Sequence, residues 1–146
     1  MATVASILER KGHQIQSVSP DTPIIDCLKL MSEKGVGSVL VMQDDKVVGI
    51  FSERDYARRG ILKGNHEHTP VKRVMTEKIY YVKPEQSIEA CMAQMSDKHI
   101  RHLPVLEGDK VVGVISIGDV VLSKLDDMQS LISGLENYIL GSEIKL

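Results

Sequence analysis

Aromatic side chains are scarce in this sequence of 146 residues, which has no tryptophan, one phenylalanine and four tyrosines. Proteins that hold single-stranded RNA or DNA usually stack the bases on exposed aromatic rings, so this shortage argues against that class. A basic surplus is also missing, because 18 Lys and Arg face 20 Asp and Glu, a formal net charge of −2. We therefore expect no nucleic-acid partner. Any flat ligand must be held mainly by aliphatic side chains.

Long apolar segments are absent as well. No stretch approaches the roughly 18 apolar residues of a membrane-spanning helix, and the first residues, MATVASILERKG, lack the apolar core of a signal peptide. The two cysteines, Cys27 and Cys91, do not form a disulfide framework. We therefore expect a cytoplasmic protein with no membrane partner.

Few residues suggest catalysis or metal binding. A His-Glu-His string at 66–68, together with His99 and His102, could supply metal ligands, but no cysteine has the spacing of a zinc site. Such a string beside Thr69-Pro70 is more typical of a solvated loop. No Walker-type glycine loop and no nucleophile–base pair is visible. The sequence thus predicts no metal site and no enzymatic activity.

The most informative feature that is present is an internal repeat. A shift of 64 residues places Val18–Asp21 on Val82–Glu85 and Asp45–Gly49 on Asp109–Gly113. It aligns residues 18–56 with residues 82–120 without a gap, and 15 of these pairs are identical. The chain is therefore built from two copies of one unit.

Each copy has the pattern β-α-β-β-α: a short extended piece, a helix with a 3.6-residue apolar period, two apolar runs joined by an Asp/Gly turn, and a second helix. The apolar runs do not alternate, which indicates strands covered on both faces. Because half of this chain is too small to bury a core alone, we predict an α/β (α+β) fold of two repeats packed sheet to sheet about a pseudo-two-fold axis, followed by a C-terminal helix. The expected boundaries are 4–62 for the first repeat, 63–70 for a linker, 71–124 for the second repeat and 125–146 for a helical tail.

A motif of the form G-h-h-S-x-x-D, where h is apolar, ends the second hairpin strand of each copy. Its polar residues are Ser52 and Asp55 in the first copy and Ser116 and Asp119 in the second. One interpretation is a capping box, in which the serine and the acid close a helix N-terminus. The other is a ligand site, since a strand–helix junction suits anions and polyols and a carboxylate can accept hydrogen bonds from both hydroxyls of a ribose.

The two copies together resemble a pair of cystathionine-beta-synthase (CBS) domains. The resemblance rests on the V-x-P openings, the string I-R-H-L-P-V at Ile100–Val105 and G-V-I-S-I-G-D at Gly113–Asp119, and covers roughly residues 4–124. It implies a regulatory or sensor module for signal transduction that binds an adenosine-containing nucleotide (AMP, ADP, ATP or NAD) in the cleft between the repeats. It also implies a homodimer and an effector protein of unknown identity. Two alternatives are a structural dimerisation module with vestigial nucleotide sites and an enzyme that acts on nucleotides.

Carried over residue by residue, the resemblance implies two ribose sites: Asp119 with Ser116, and Asp55 with Ser52. It also implies that Arg101 and Arg54 converge on phosphate beside Asp119. The first copy has Gly37 where the second has Arg101, and Gly118 stands where the first has Arg54. We therefore expect the Asp119 site to be the stronger phosphate site and the Asp55 site to be weaker.

The resemblance further implies an adenine pocket along the strand that ends in Pro104. The base would lie among Ile100, Leu103 and Val82, with Val18 as the first-copy counterpart of Val82. Further candidates for ligand contact are His102, which could reach a phosphate, and Tyr80 and Tyr81, which open the second repeat beside that pocket. The alternative for all three is a structural role in packing.

The tail carries an apolar seam, which we define as Leu125, Met128, Ile132, Leu135 and Ile139. The spacing of 3, 4, 3 and 4 residues is that of heptad a and d positions. Two heptads are too short for a stable isolated coiled coil, so the seam needs a partner surface. That surface is either the body of the same chain or a second copy in the homodimer.

Overall fold

The computed structural model describes residues 2–140. The helices are α1 Val4–Lys11, α2 Ile24–Lys34, α3 Glu53–Asp55, α4 Ile88–Lys98 and α5 Ile117–Leu140. The strands are β1 Ser17–Val18, β2 Ser38–Gln43, β3 Lys46–Ser52, β4 His102–Glu107 and β5 Lys110–Ser116. A π-helical turn (Tyr56–Gly60) and a 3-10 turn (Ile61–Lys63) continue α3, and a second 3-10 turn spans Val71–Arg73. The predicted mixed fold of tandem repeats with a C-terminal helix is confirmed.

The two sheets repeat each other at the predicted shift of 64 residues. β2 and β3 are antiparallel, with Ser38 opposite Ser52, and β4 and β5 are antiparallel, with His102 opposite Ser116. Both ladders change register at the same place, after Val41 in the first and after Val105 in the second. The hairpins of the two copies are therefore built to the same register, residue for residue.

The first strand of the second copy is shorter than its counterpart. β1 pairs in parallel with β2 through Val18 and Val41, whereas Val82 makes only an isolated parallel bridge to Val105. The sheets therefore have three strands (β1-β2-β3) and two strands (β4-β5). The amide of Val82 donates to the carbonyl of Pro104, and the carbonyl of Val82 accepts from the amide of Leu106. The segment that contains Val82 therefore still runs beside β4, as β1 runs beside β2.

The segment that leads into each copy, which we call its lead-in, packs on the core of the other copy. Three apolar residues of α1 lie in one cluster with α4, β4 and β5: Val4, Ile7 and Leu8. Three apolar residues that precede the second copy lie in the other cluster with α2, β2 and β3: Val71, Val74 and Met75. Backbone bridges follow the same exchange, from Thr3 to Ser87 and from Pro23 to Pro70. Neither core is complete without the lead-in of its neighbour.

The glycine of the D-K-V-V-G string lies where these lead-ins cross the sheets. A Cβ atom at Gly49 would lie 2.3 Å from Met75 Sδ, and one at Gly113 would lie 2.6 Å from Leu8 Cδ2. A methyl group at either position would force the neighbouring side chain to move. The repeated glycine therefore lets a lead-in side chain rest directly on the strand.

The helix that follows Ser52 is shorter than the pattern predicts. α3 has a single α-helical turn before the backbone widens into the π-helical turn, whereas α5 runs for 24 residues. A π-helical turn inside a helix is uncommon and often marks a functional site. Here it carries Arg58 and Arg59. Among residues 2–140, none of the helices has the length and apolar character needed to cross a bilayer.

Both cysteines are core residues of these helices. Cys27 on α2 and Cys91 on α4 are fully buried, and burial raises the pKa of each thiol to about 11. A thiol with so high a pKa stays protonated and unreactive at neutral pH. Each cysteine acts as a small apolar residue of its cluster.

Candidate functional sites

The junction between β3 and α3 forms the floor of a first cavity. Ser52 Oγ accepts from the amide of Asp55 at 3.2 Å, while Asp55 Oδ2 accepts from the amide of Ser52 at 3.0 Å. This reciprocal capping box fixes the carboxylate at the helix N-terminus. Asp55 Oδ1 in turn accepts from the Arg59 guanidinium and from Thr76 Oγ1. The capping interpretation of the motif is thus correct, and every oxygen of the Asp55 side chain already has a partner.

The first cavity has a volume of about 300 Å³ and lies between β3 of one sheet and β4 of the other. Its walls combine aliphatic side chains with five permanently cationic ones. The aliphatic group is Ile50, Ile79, Ile100 and Pro104, and the cationic group is Arg54, Arg58, Arg59, Lys78 and Arg101. A cavity lined in this way suits a ligand with one flat apolar part and one strongly anionic part.

Most of these cations are not neutralised by a carboxylate. Arg59 is paired with Asp55, whereas the guanidinium of Arg54 donates to the carbonyl of His99, at 2.9 Å, and has no carboxylate partner among the described residues. Within residues 2–140, no carboxylate oxygen lies within 4 Å of the charged nitrogens of Arg58, Lys78 or Arg101. The cavity therefore presents a surplus of positive charge, and guanidinium groups match phosphate geometry.

The junction between β5 and α5 forms the matching floor of a second cavity. The amide of Ser116 donates to Asp119 Oδ2 at 2.8 Å, and Lys11 Nζ donates to the same oxygen at 2.7 Å. Lys11 also donates to the carbonyl of Val114, which ties the end of α1 to this junction. Burial acts to raise the pKa of Asp119, but the hydrogen bonds from Lys11 and Ser116 outweigh it and hold the pKa below its usual value. Oδ1 of Asp119 accepts no hydrogen bond from the residues that the structure describes.

The second cavity, of about 290 Å³, lies between β2 and β5 and is less charged. Lys11 is its one permanently cationic lining residue, and Gln14 and Gln16 add neutral polar groups. Asp119 sits at its floor. This cavity therefore suits a polar ligand of low charge better than a polyphosphate.

A shared wall of Gly37 and His102 separates the two cavities. A Cβ atom at Gly37 would lie 3.4 Å from Cε1 and from Nε2 of the imidazole, so the ring rests on the glycine backbone. Burial lowers the pKa of His102 from its ordinary value, and Asp119 partly opposes this effect. Burial therefore favours the neutral form of the His102 imidazole in this wall.

The structure corrects the predicted position of the two arginines. Arg54 and Arg101 both line the first cavity with Asp55, so the prediction that they converge beside Asp119 is wrong. The cause is the way the repeats meet: β4 of the second copy faces β3 of the first, which brings Arg101 to the motif of the other copy. The two arginines expected beside Asp119 therefore lie in the cavity that contains Asp55.

The remaining predicted residues divide between cavity and core. Ile100 and Pro104 line the first cavity, Ser52 and Asp55 form its floor, and Ser116 and Asp119 form the floor of the second.

Leu103 and Val82 are fully buried in the core of the second copy, and Val18 packs on the core of the first. Side chains alternate along a strand, so Leu103 points away from the cavity that His102 and Pro104 face. Tyr81 is about half exposed and lines neither cavity, whereas Tyr80 lines the first.

Several lining residues were missed by the sequence analysis. Arg59 follows Asp55 by four residues, a spacing at which opposite charges pair on a helix, so this contact could have been found. Thr76 and Lys78 belong to the exchanged lead-in, and Lys11 belongs to the other one. No local pattern places these three residues, because they arrive from the neighbouring copy.

Potential metal ligands do not come together in the described part of the chain. Residues 2–140 contain no group of three or more His, Cys, Asp or Glu side chains arranged to hold a metal ion. His66 and His68 lie in an exposed turn, with their ring centroids 6.2 Å apart.

Comparison with known proteins agrees with the repeat architecture. The sequence profile described as "CBS domain" matches residues 4–61 and 71–126. A structure of a protein with CBS domains from Burkholderia ambifaria is 45% identical, covers 86% of this chain and 96% of its own, and superimposes with a TM-score of 0.83. Two curated relatives are also similar. CBS domain-containing protein CBSX3, mitochondrial, from Arabidopsis thaliana is 32% identical over 95% of this chain and 72% of its own. CBS domain-containing protein YhcV from Bacillus subtilis is 28% identical over 92% and 95%.

Proposed function

The chain belongs to the CBS domain family, and on this premise we propose that it is a regulatory module that binds an adenosine-containing nucleotide between its repeats. The candidate ligands are AMP, ADP, ATP and NAD. The observation that carries the proposal is the first cavity, where four cations without a carboxylate partner surround a carboxylate at a strand–helix junction. The module signals by binding and has no catalytic role in this account.

The phosphate groups belong beside Arg58, Arg101 and Lys78. These side chains have no acidic partner among residues 2–140, so a phosphate would satisfy them without breaking an existing ion pair. Hydrogen bonds to charged groups contribute about 1.5–3 kcal/mol each. Two such contacts suffice to favour a nucleotide strongly over its nucleoside.

The ribose belongs at Asp55. Its carboxylate already accepts from Arg59 and Thr76, so a ribose hydroxyl must replace Arg59 to bind there. The displaced guanidinium lies in the same cavity and can turn to the phosphate. In this way ligand binding replaces the ion pair between Asp55 and Arg59 with one between Arg59 and the ligand phosphate.

The adenine belongs among the aliphatic side chains of the cavity wall. Ile50, Ile79, Ile100 and Pro104 supply the apolar surface of this cavity for a flat base. Tyr80 is the aromatic residue of this wall, and Lys78 and Lys98 lie 5.6 and 5.3 Å from its ring centroid. Aliphatic contact of this kind accounts for how a chain with five aromatic residues can hold a purine.

A regulatory mechanism follows from the helices attached to these contacts. Arg59 lies on the π-helical turn that continues α3, so its release from Asp55 removes an ion pair that holds this turn in place. A ligand shifts such an equilibrium only by its difference in affinity for the two states. We propose that a homodimer of the module carries this shift to an effector protein.

Ligand chemistry in a structural neighbour supports the proposal. A CBS domain pair that shares the fold (TM-score 0.74, 19% identical) was crystallised with 5′-methylthioadenosine and S-adenosyl-L-methionine. Both of those ligands contain adenosine. The surplus of cations in the first cavity favours a phosphate-bearing ligand for the present chain.

A thermal-shift panel tests the proposal. AMP, ADP, ATP, NAD and S-adenosylmethionine are compared with GTP and with inorganic triphosphate as controls without adenine. We expect stabilisation by at least one adenine nucleotide, because a ligand that binds only the folded state raises its stability by mass action. Equal shifts with inorganic triphosphate would instead indicate a simple anion site.

A second candidate function is a dimerisation module with vestigial sites. The observation in its favour is that chain cations already occupy both motif carboxylates, Arg59 at Asp55 and Lys11 at Asp119. This candidate predicts no thermal shift with any adenine nucleotide at millimolar concentration. The same panel therefore separates the two functions.

A further inference from the structure

The long helix α5 leaves the body of its own chain about halfway along. In its first half Val120 and Ser123 are buried, and Asp126 and Asp127 are held by Arg10 and by the amide of Ala2. After Asp127, no side chain of α5 makes a hydrogen bond or ion pair with another element among residues 2–140. At 1.5 Å per residue, the helix is about 36 Å long, and its second half extends as a projection.

The C-terminal seam lies on the exposed side of this projection. Leu125, Ile132 and Leu135 are 54%, 46% and 52% exposed, and Ile139 is 77% exposed. Ser123 is buried and lies at the heptad position opposite the seam, so the seam faces away from the body. The seam is therefore not packed on its own chain, which was one of the two expectations from the sequence.

The chemistry of the helix favours a protein helix as the partner of the seam. An apolar surface of this extent is uncommon on a monomer, and a projecting helix of this length is marginal in water without a partner. Residues 117–140 contain one lysine against four carboxylates. Anionic membranes attract basic helices, so this acidic one does not suit a lipid surface. The 3,4 spacing instead fits a second helix with the same period.

We propose that α5 pairs with α5 of a second copy in antiparallel orientation, centred on Ser130. In this register Val121 faces the partner's Ile139, Leu125 faces the partner's Leu135, and Met128 faces the partner's Ile132. Every layer is apolar and appears twice, as a two-fold interface requires. This inference rests on the homodimer of the proposed function and is independent of nucleotide binding.

The residues beside the seam distinguish the two orientations. In a parallel pair, position g of one helix lies near position e of the next heptad, so Leu131 would meet the partner's Glu136. In the antiparallel pair, g positions meet each other, so Leu131 meets the partner's Leu131. The antiparallel pair also places the repeat domains of the two copies at opposite ends of the helix pair, where they do not clash.

Sedimentation equilibrium of the full chain tests the contact. Wild type should have the mass of two chains, and the variant Ile132→Glu with Leu135→Glu should have the mass of one, since four carboxylates would be buried per dimer. The matched control is Ser130→Glu with Asn137→Glu, at exposed positions opposite the seam, and it should stay dimeric. Circular dichroism checks that each variant is folded. A monomeric wild type, or a seam variant that stays folded and dimeric, overturns the proposal.

Cysteine cross-linking tests the orientation. Leu131→Cys should form a disulfide-linked dimer on mild oxidation, because residue 131 meets its own copy near the two-fold axis. Ile139→Cys should not, because in this register it faces the partner's Val121. The native cysteines are buried and do not interfere. Cross-linking through residue 139 and not through 131 would overturn the antiparallel pairing. Nucleotide thermal shifts on the seam variants are read separately, so loss of the dimer and loss of binding are distinguished.

Discussion

The guanidinium of Arg59 donates to Oδ1 of Asp55, across one turn of the helix that opens the first cavity. The same guanidinium donates to Thr76 Oγ1 and to the carbonyl of Met75, which belong to the lead-in of the second copy. One side chain thus joins the motif carboxylate of one repeat to the lead-in of the other. A ligand that takes Arg59 away from Asp55 acts directly on the contact between the repeats.

Asp55→Asn should weaken nucleotide binding by roughly 10- to 150-fold, because a hydrogen bond to a charged group contributes about 1.5–3 kcal/mol. The amide keeps the shape of the side chain and removes its charge. Isothermal titration with the nucleotide that gives the largest thermal shift measures the effect.

The matched control for this measurement is Asp119→Asn, the same change at the second motif. We expect it to alter affinity far less, because the cations gather around Asp55. If Asp119→Asn abolished binding and Asp55→Asn left it unchanged, the proposed order of the two sites would be wrong.

Arg58→Gln and Arg101→Gln should each weaken nucleotide binding and also make the affinity less sensitive to salt. Screening by ions reduces the attraction between charges, so losing one cation from the cavity removes part of the salt dependence. Titrations at low and high ionic strength measure this. Arg73→Gln, an exposed arginine outside both cavities, serves as the control. Parallel losses in all three variants would indicate a general charge effect instead of a phosphate site.

The stability of the protein should fall as the pH drops below about 6.5, and part of this fall should come from His102. Burial lowers the pKa of His102 in the folded state from its ordinary value of 6.5. The positive charges of Lys11 and Arg101 also lower this pKa, whereas the negative charges of Asp119 and Glu53 raise it. The unfolded chain therefore binds the proton first, so this contribution is complete above pH 6.5 and is lost below it. Urea unfolding from pH 7.5 to 5 measures the slope.

His102→Gln should make that slope shallower, whereas His68→Gln, at an exposed histidine, should leave it unchanged. An identical slope in wild type and His102→Gln would show that the buried imidazole does not contribute.

Gly113→Ala should lower the free energy of unfolding by about 1–3 kcal/mol, the usual cost of overpacking a core. The added methyl group would meet buried Leu8 at 2.6 Å, and this short branched side chain has little room to move. Gly49→Ala should cost less, because Met75 is more flexible. Gly134→Ala is the control: nothing lies within 4 Å of its Cβ position, so it should gain up to about 1 kcal/mol of helix propensity. Equal effects at Gly113 and Gly134 would contradict the packing account.

The repeat explains why so much of the fold could be predicted from the sequence. A gapless shift of 64 residues carries strand, turn and helix signals together, and the two ladders follow it residue for residue. Local rules also identified the capping boxes at Ser52 and Ser116. Local rules could not predict the exchange of lead-ins. A short apolar segment does not specify which of two similar cores it packs on.

The way the two repeats face each other explains the error at the candidate sites. The sequence predicts Arg54 and Arg101 beside Asp119, whereas both line the cavity that contains Asp55. The choice between Asp55 and Asp119 depends on which strands face each other across the cleft. That relation is set by the packing of whole repeats, and the sequence of either repeat alone does not contain it.

The most direct test of the central claim is a crystal structure of the protein grown with ATP. We expect electron density for the nucleotide in the first cavity, with its ribose at Asp55 and its phosphates beside Arg58 and Arg101. Arg59 should have moved from the carboxylate to the phosphates. Density confined to the second cavity, or a first cavity in which Arg59 still holds Asp55 while ATP is bound elsewhere, would contradict it.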